Sequence, residues 1–192
     1  MAFTALLDAN VIYPIYLCSA LLRLAQAEIY QVRWSAQILQ EALRNLKERY
    51  PLEKHASLER RFAVMQQQFP EALVTGYENL IPVMTNHEGD RHVLAAALRG
   101  RADVIVTSNV RHFPASSLES YDIDVQEPDN FLCHQFDIRD SAYLIGVLEH
   151  WASQLKKPPR SVEELISEHL ARCVPTFSEK VLNHLQGREV GS

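Results

Sequence analysis

The stretch that decides the fold runs DRHVLAAALRGRADVIVTSN, from Asp90 to Asn109. Its first half repeats apolar residues at helical spacing over Val93–Leu98, and Gly100 ends that helix. Its second half, Val104–Val106, is short, β-branched and apolar on both faces, which is typical of a strand in a buried parallel sheet. The stretch therefore predicts one helix–strand unit of an α/β protein, with the polar residues 107–109 at the carboxyl end of its strand.

The same alternation of helix and strand continues on both sides of this unit. Strand-like apolar runs occur at Phe3–Leu7 and Ile29–Trp34, and a shorter one occurs at residues 123–126. Amphipathic helical patterns follow Pro14, which suits a first helical turn, and Ser35, which suits an N-cap. The first ~130 residues thus predict right-handed βαβ connections and a parallel sheet flanked by helices. From residue 128 onward the pattern is helical, except at the double proline of LKKPPR, which breaks any helix.

Composition restricts the classes of protein to which the chain can belong. With 192 residues and 47% hydrophobic content, it fits one globular domain, or one domain with an appendage. The net charge of -5 is not that of a generally basic nucleic-acid binder, so nucleic-acid binding would require a local basic patch. No apolar run approaches the ~18 residues of a membrane helix, and the first residues lack a signal-peptide pattern. We expect a cytoplasmic protein without a membrane anchor.

Acidic and polar side chains follow the predicted strands. Asp8 comes directly after Phe3–Leu7, and sites in open α/β sheets form beyond the carboxyl ends of strands. Taken singly, Asp8 is explained as a helix cap, Asp90 as a favourable charge at a helix N-terminus, and Glu41 as a solvated side chain. Taken together, several acids at one sheet edge repel each other unless a cation neutralises them. Hard oxygen ligands of this kind suit Mg²⁺ or Mn²⁺ rather than zinc.

Four runs in order carry a family resemblance: LLDANVIYP, WSAQILQEALRNL, DRHVLAAALRGRADVIVTSNVRHFP and EPDNFL. They resemble the motifs of PIN-domain nucleases, in particular the bacterial branch of VapC-like toxins. The resemblance implies an α/β/α sandwich with a central parallel sheet in a PIN-like nuclease domain, residues 1–132. Residues 133–192 would then form a C-terminal helical extension.

The resemblance also implies a set of site residues. Asp8, Glu41 and Asp90 match the family's first three acids, and they are expected to be catalytic and to bind the metal. The fourth acidic position is Asn109, which we expect to be catalytic although it brings no charge. Residues expected to contact the substrate or support the site are Asn10, Thr107, Ser108, Arg111, His112 and Arg44. His112 stands where relatives often have an aspartate.

The expected function is that of a Mg²⁺- or Mn²⁺-dependent endoribonuclease that hydrolyses RNA phosphodiesters, with Glu41 as general base. By the same resemblance, it is the toxin of a toxin–antitoxin pair, with a cognate antitoxin protein as partner and a homodimeric state. The charge lost at Asn109 leaves an alternative open: a catalytically impaired PIN-like module that binds RNA or a partner. A phosphatase of the haloacid-dehalogenase type ranks lower, because its chemistry needs a second acid where Asn10 stands.

Overall fold

The computed structural model describes residues 3–156 and 158–190, with side chains described as far as residue 187. Five strands form one sheet in the order β3-β2-β1-β4-β5, and every pair of neighbours is parallel. The strands are β1 (Thr4–Leu7), β2 (Gln31–Ser35), β3 (Leu73–Val74), β4 (Val104–Val106) and β5 (Asp124–Gln126). The predicted parallel sheet flanked by helices is therefore confirmed.

Ten α-helices are assigned within the described residues. They are α1 (Ala9–Ile12), α2 (Ile15–Gln26), α3 (Ala36–Arg49), α4 (His55–Gln68), α5 (Arg91–Arg99), α6 (Ala115–Leu118), α7 (Pro128–Ile138), α8 (Ser141–Gln154), α9 (Val162–Leu165) and α10 (Pro175–Val190). Short 3₁₀ segments include Glu88–Asp90 and Val110–His112, and a π-helical turn covers Ile166–Leu170. None of the helices in the described part of the chain is long and apolar enough to span a membrane.

Local signals in the sequence account for several of these boundaries. Ser35 caps α3 by accepting a hydrogen bond from the Ile38 N–H at 3.2 Å, as its sequence position predicts. Gly100 ends α5, with its N–H donating to the carbonyl of Ala96 at 2.8 Å. The helical pattern predicted after the double proline is confirmed there in two forms, the short α9 followed by the π-helical turn.

Two compact units divide the chain. The first comprises Met1–Pro14 and Tyr30–Glu127 and contains the whole sheet, and the second comprises Ile15–Ile29 and Pro128–Ser192. Helix α2 therefore belongs to the second unit although it lies between β1 and β2 in the sequence. Within that unit, Tyr16 and Arg23 of α2 lie 6.3 Å and 5.4 Å from the ring of Trp151 in α8. The proposed domain bounds of 1–132 and 133–192 stay a prediction.

The strand order fixes where the first unit can bind a ligand. From β1 the chain moves outward through β2 and β3 on one side, and β4 and β5 fill the other side. The order therefore reverses between β1 and β4, which is the point where open α/β sheets form a crevice at their carboxyl edge. Leu7 at the end of β1 pairs with Val106 at the end of β4, so Asp8 and Thr107 emerge side by side.

Candidate active site

Asp8 is a buried carboxylate at the end of β1, with only 3% of its surface exposed. It is the N-cap of α1, and its Oδ1 accepts a hydrogen bond from the Ala9 N–H at 2.6 Å. Its Oδ2 accepts from the side-chain amide of Asn10 at 2.6 Å and from the hydroxyl of Thr107 at 2.7 Å. Asp8 is thus a cap, as its position in the sequence suggests, and also the centre of a polar network.

Thr107 joins this network to the loop after β4. Its fully buried hydroxyl donates to Asp8 and accepts from the Asn10 amide at 2.8 Å and the Asn109 N–H at 3.0 Å. The other end of the Asn10 side chain accepts from the Ser108 N–H at 2.9 Å. Five residues that the sequence placed near the site are therefore connected by direct hydrogen bonds across the β1–β4 edge.

The pKa of Asp8 is affected by burial and by a second acid. Burial is the main cause that raises the pKa of Asp8, and the negative charge of Asp90 raises it further. The hydrogen bond from Thr107 and the N–H of Ala9 lower the pKa but do not offset the burial. Ionised Asp8 is therefore an unfavourable charge that a nearby cation would stabilise.

Asp90 precedes α5, yet its side chain does not cap that helix. Its Oδ2 lies 2.5 Å from Nδ1 of His112, and both side chains are about one-fifth exposed. The ring of His112 stacks on the ring of His87, with centroids 4.2 Å apart and planes 15° from parallel. Asp90 therefore lies at the N-terminus of α5, where a negative charge is favourable as predicted, and it is also an acid of the candidate site that His112 contacts directly.

Glu41 lies on α3 and is partly exposed, at 27% of its side chain. Its Oε1 is 3.3 Å from Nε2 of His92, close enough for an ion pair but not aligned as a hydrogen bond. Burial is the largest single cause and raises the pKa of Glu41, but His92, Gln37 and Arg44 together lower it, so the net pKa is below its ordinary value. The explanation of Glu41 as a freely solvated side chain is wrong.

His92 is a residue that the sequence reasoning missed. It is 4% exposed, and neither of its ring nitrogens has a hydrogen-bond partner among the described residues. A positive charge on His92 lowers the pKa of both Asp8 and Glu41, which indicates that it lies within electrostatic reach of the two acids. The available signal was a lone histidine in a helix whose neighbours, Val93–Ala97, are all buried and apolar.

The remaining predicted residues surround this centre less directly. Asn109 contributes its backbone N–H to Thr107, while Arg111 and Arg44 are exposed. A positive charge on Arg44 lowers the pKa of Glu41, after the larger causes of burial and His92. A shallow groove of about 390 Å³ lies on the same face of α3, lined by Gln40, Leu43, Arg44, Lys47, Glu48 and His55. Lys47 in this groove also pairs with Glu59.

The donor chemistry of the site fits a hard divalent cation. A carboxylate offers about four lone-pair sites, and the three hydrogen bonds to Asp8 leave one on Oδ1 for a metal. Asp90 and Glu41 are the other carboxylates of the predicted set, but the ligand atoms of Asp8, Glu41 and Asp90 do not all lie within 4.8 Å of one another in this structure. Oxygen ligands of this type suit Mg²⁺ and Mn²⁺, and the raised pKa of Asp8 is the electrostatic cost that such an ion would relieve.

Comparison with known proteins shows which family the chain resembles. The family profile described as "PIN domain" matches residues 4–111, and the profile described as "VapC50 C-terminal domain" matches residues 128–183. A Mycobacterium tuberculosis (strain ATCC 25618 / H37Rv) protein named "Putative ribonuclease VapC50" is 41% identical over 112 residues, which cover 57% of this chain and 63% of that protein. No solved structure matches significantly. The resemblance seen in the sequence is confirmed, and the chain belongs to the PIN-domain family, on its VapC-like branch.

Proposed function

We propose that this protein is a Mg²⁺- or Mn²⁺-dependent endoribonuclease that hydrolyses RNA phosphodiesters. The observation that carries the proposal is the buried Asp8 carboxylate, whose pKa is raised by burial and by the charge of Asp90 at the topological switch point of the sheet. The similarity to a protein named as a ribonuclease supports the choice of RNA.

Asp8 and Asp90 would hold the cation, together with Glu41 directly or through water, and Asn109 would complete the polar shell. The bound ion would neutralise the non-bridging oxygens of the phosphate and make a water molecule more acidic. Glu41 would accept the proton of the attacking water, because its side chain is partly exposed and can contact water. Asn10 and Thr107 hold the Asp8 carboxylate in one orientation through their hydrogen bonds.

Substrate binding would come from positive side chains and polar loop groups around the acids. Arg44 and Lys47 line the groove along α3, and Arg111 lies exposed in the turn after β4. Ser108 and His112 flank the site on the same loop. Such cations would neutralise RNA phosphates, so binding would weaken as the salt concentration rises.

The similarity to VapC-like proteins supports a wider proposal, that this enzyme is the toxin of a toxin–antitoxin pair. A cognate antitoxin would then block the acidic crevice, and the active form would be a homodimer in the cytoplasm. Expression of the wild-type chain should arrest bacterial growth, and co-expression of the product of a neighbouring small gene should restore it. Growth arrest that persists with Asp90→Asn would contradict a toxicity caused by cleavage.

The deciding experiment is cleavage of a mixed cellular RNA pool by purified protein with Mg²⁺ or Mn²⁺, with EDTA, and with the Asp90→Asn variant. We expect cleavage that EDTA abolishes and that Asp90→Asn lowers by at least about 100-fold. Glu88→Gln is the matched control, because Glu88 is an exposed acid in the same turn as Asp90. It should keep cleavage within about threefold, as surface substitutions usually do.

Two features favour the alternative of a catalytically impaired PIN-like module that binds RNA or a partner. Asn109 carries no charge, and the carboxylate of Asp90 already contacts His112. This alternative predicts a folded protein that binds the RNA pool without cutting it, and whose binding survives EDTA. That result would overturn the nuclease proposal.

A further inference from the structure

A cluster of two imidazoles and one carboxylate lies beside the acids described above. One ligand atom each from His87, Asp90 and His112 lies within 4.8 Å of the other two. Among the described residues, this is the only group of three or more His, Cys, Asp or Glu side chains that meets this spacing. Neither histidine belongs to the set of acids assigned to the hard cation.

The backbone holds these three residues in place. The His87 N–H donates to the carbonyl of His112 at 3.0 Å, and the Asp90 N–H donates to the carbonyl of His87 at 2.9 Å. The His112 N–H in turn donates to the carbonyl of Asn109 at 2.8 Å. These hydrogen bonds connect the turn before α5 with the turn after β4, and the rings of His87 and His112 stack on each other. The ligands are presented by a fixed scaffold rather than by unrelated surface positions.

The ligand types select the class of ion. Imidazole nitrogen suits zinc and its neighbours in the first transition series, whereas Mg²⁺ prefers oxygen ligands. In a tetrahedral zinc site with Zn–N bonds of about 2.05 Å, ligand atoms lie roughly 3.3 Å apart. Spacings of up to 4.8 Å would have to shorten by at most roughly 1.5 Å, whereas Nδ1 of His112 and Oδ2 of Asp90, 2.5 Å apart, would have to separate by roughly 0.8 Å and exchange their hydrogen bond for bonds to the metal. The Nδ1 of His87 accepts only a long hydrogen bond, at 3.3 Å from the Gly89 N–H, which is a weak contact to give up.

We propose that His87, Asp90 and His112 form a binding site for a divalent transition-metal ion of the zinc class. Two imidazoles and one carboxylate leave a fourth position open for water. The site shares Asp90 with the oxygen-ligand centre. A consequence that rests on the proposed function follows: zinc bound here withdraws Asp90 from the Mg²⁺ or Mn²⁺ site and lowers RNA cleavage.

The test is a calorimetric titration of metal-free, untagged full-length protein with Zn²⁺ alone, repeated with Co²⁺ and monitored by its visible absorption. We expect one site in the wild type. Losing a group that supports a metal ligand typically lowers metal affinity by about 10- to 100-fold, and losing the ligand itself should cost more. His87→Ala and His112→Ala should therefore each weaken Zn²⁺ binding by more than about 100-fold. His87 is exposed, so His87→Ala is the deciding variant, because its replacement disturbs the fold least. Its melting temperature without metal checks the fold.

Two controls separate this site from its surroundings. His150→Ala removes an exposed histidine of α8, and Asp8→Asn removes an acid of the oxygen-ligand centre. Both should bind Zn²⁺ within about threefold of the wild type, as substitutions outside the ligand set do. The proposal is overturned if the wild type binds no Zn²⁺, or if either histidine variant binds it as the wild type does.

The consequence for cleavage is tested separately with Mg²⁺ in excess. Zinc should lower cleavage by the wild type, and His87→Ala should cleave at the wild-type rate without responding to zinc. A protein that binds Zn²⁺ through these residues but cuts no RNA would contradict the nuclease proposal and leave the metal site established. A nuclease whose zinc response is unchanged in His87→Ala would contradict the coupling between the two sites.

Discussion

Replacing Thr107 with valine should destabilise the protein by an amount that depends on pH. Valine keeps the shape of threonine but removes a buried hydroxyl that donates to Asp8 and accepts from Asn10 and the Asn109 N–H. A hydrogen bond to a charged group contributes about 1.5–3 kcal/mol. The partly buried Asn109 N–H that loses its acceptor adds on the order of 1 kcal/mol. We therefore expect Thr107→Val to lower the free energy of unfolding by about 2–4 kcal/mol at neutral pH.

The pH dependence follows from the direction of the pKa shift. The Thr107 hydrogen bond lowers the pKa of Asp8 and so favours its ionised form, although burial keeps that pKa above the ordinary value of 3.8. The stabilisation by this bond is present while Asp8 is ionised. It is lost as the pH falls through the raised pKa of Asp8. The cost of Thr107→Val should therefore shrink with falling pH.

The assay is urea denaturation of wild type and variants in EDTA, over a pH series from about 8 down to about 4. Thr107→Ser is the matched control, because it keeps the hydroxyl and loses one methyl group, worth about 1 kcal/mol without a pH dependence. If Thr107→Val costs no more than Thr107→Ser at neutral pH, or costs the same at every pH, the role assigned to this hydroxyl is wrong.

Two further predictions concern the contact of His92 with Glu41 in the first unit and the capping of α10 by Asp129 in the second. His92→Gln should raise the pKa of Glu41, measured by carboxyl NMR in metal-free protein, because His92 is the main cause that lowers it against the effect of burial. Gln37→Ala, which removes a 3.4 Å contact, should raise it less, and an equal shift would contradict the reasoning. Asp129→Ala should cost about 1–2 kcal/mol in thermal unfolding, because Asp129 accepts from two N–H groups in the first turn of α10 at 3.0 Å and 2.8 Å. Asp129→Asn should cost less, since it keeps an acceptor.

His112 is a position where the sequence departs from the family resemblance, and the structure shows what its side chain contacts. The resemblance implies an aspartate at this position, and here the imidazole lies 2.5 Å from Asp90 and stacks on His87. The histidine does not simply remove an acid from the site. It brings a nitrogen ligand beside a carboxylate, which is the reason for expecting this chain to respond to zinc.

Much of the fold could be read from the sequence because its causes are local. The buried strand Val104–Val106, the cap at Ser35 and the stop at Gly100 each depend on side chains within one or two turns. The placement of Asp8 after a strand of a parallel sheet was likewise predictable, because the carboxyl ends of such strands share one edge. The form of the helix was not predictable everywhere, since after Ser161 the chain passes from α-helix to a π-helical turn where local periodicity permits both.

What only the tertiary structure decided is which side chains meet. Thr107 donates to Asp8 across 99 residues of sequence, and His112 reaches Asp90 across 22. The packing of α2 with α8, and the pairing of His92 with Glu41, have no local signal either. The sequence by itself determined the elements, their order and the acids at their ends, since propensity and capping act over a few residues. The partners depend on strand order and register, which follow from burying all the apolar faces at once.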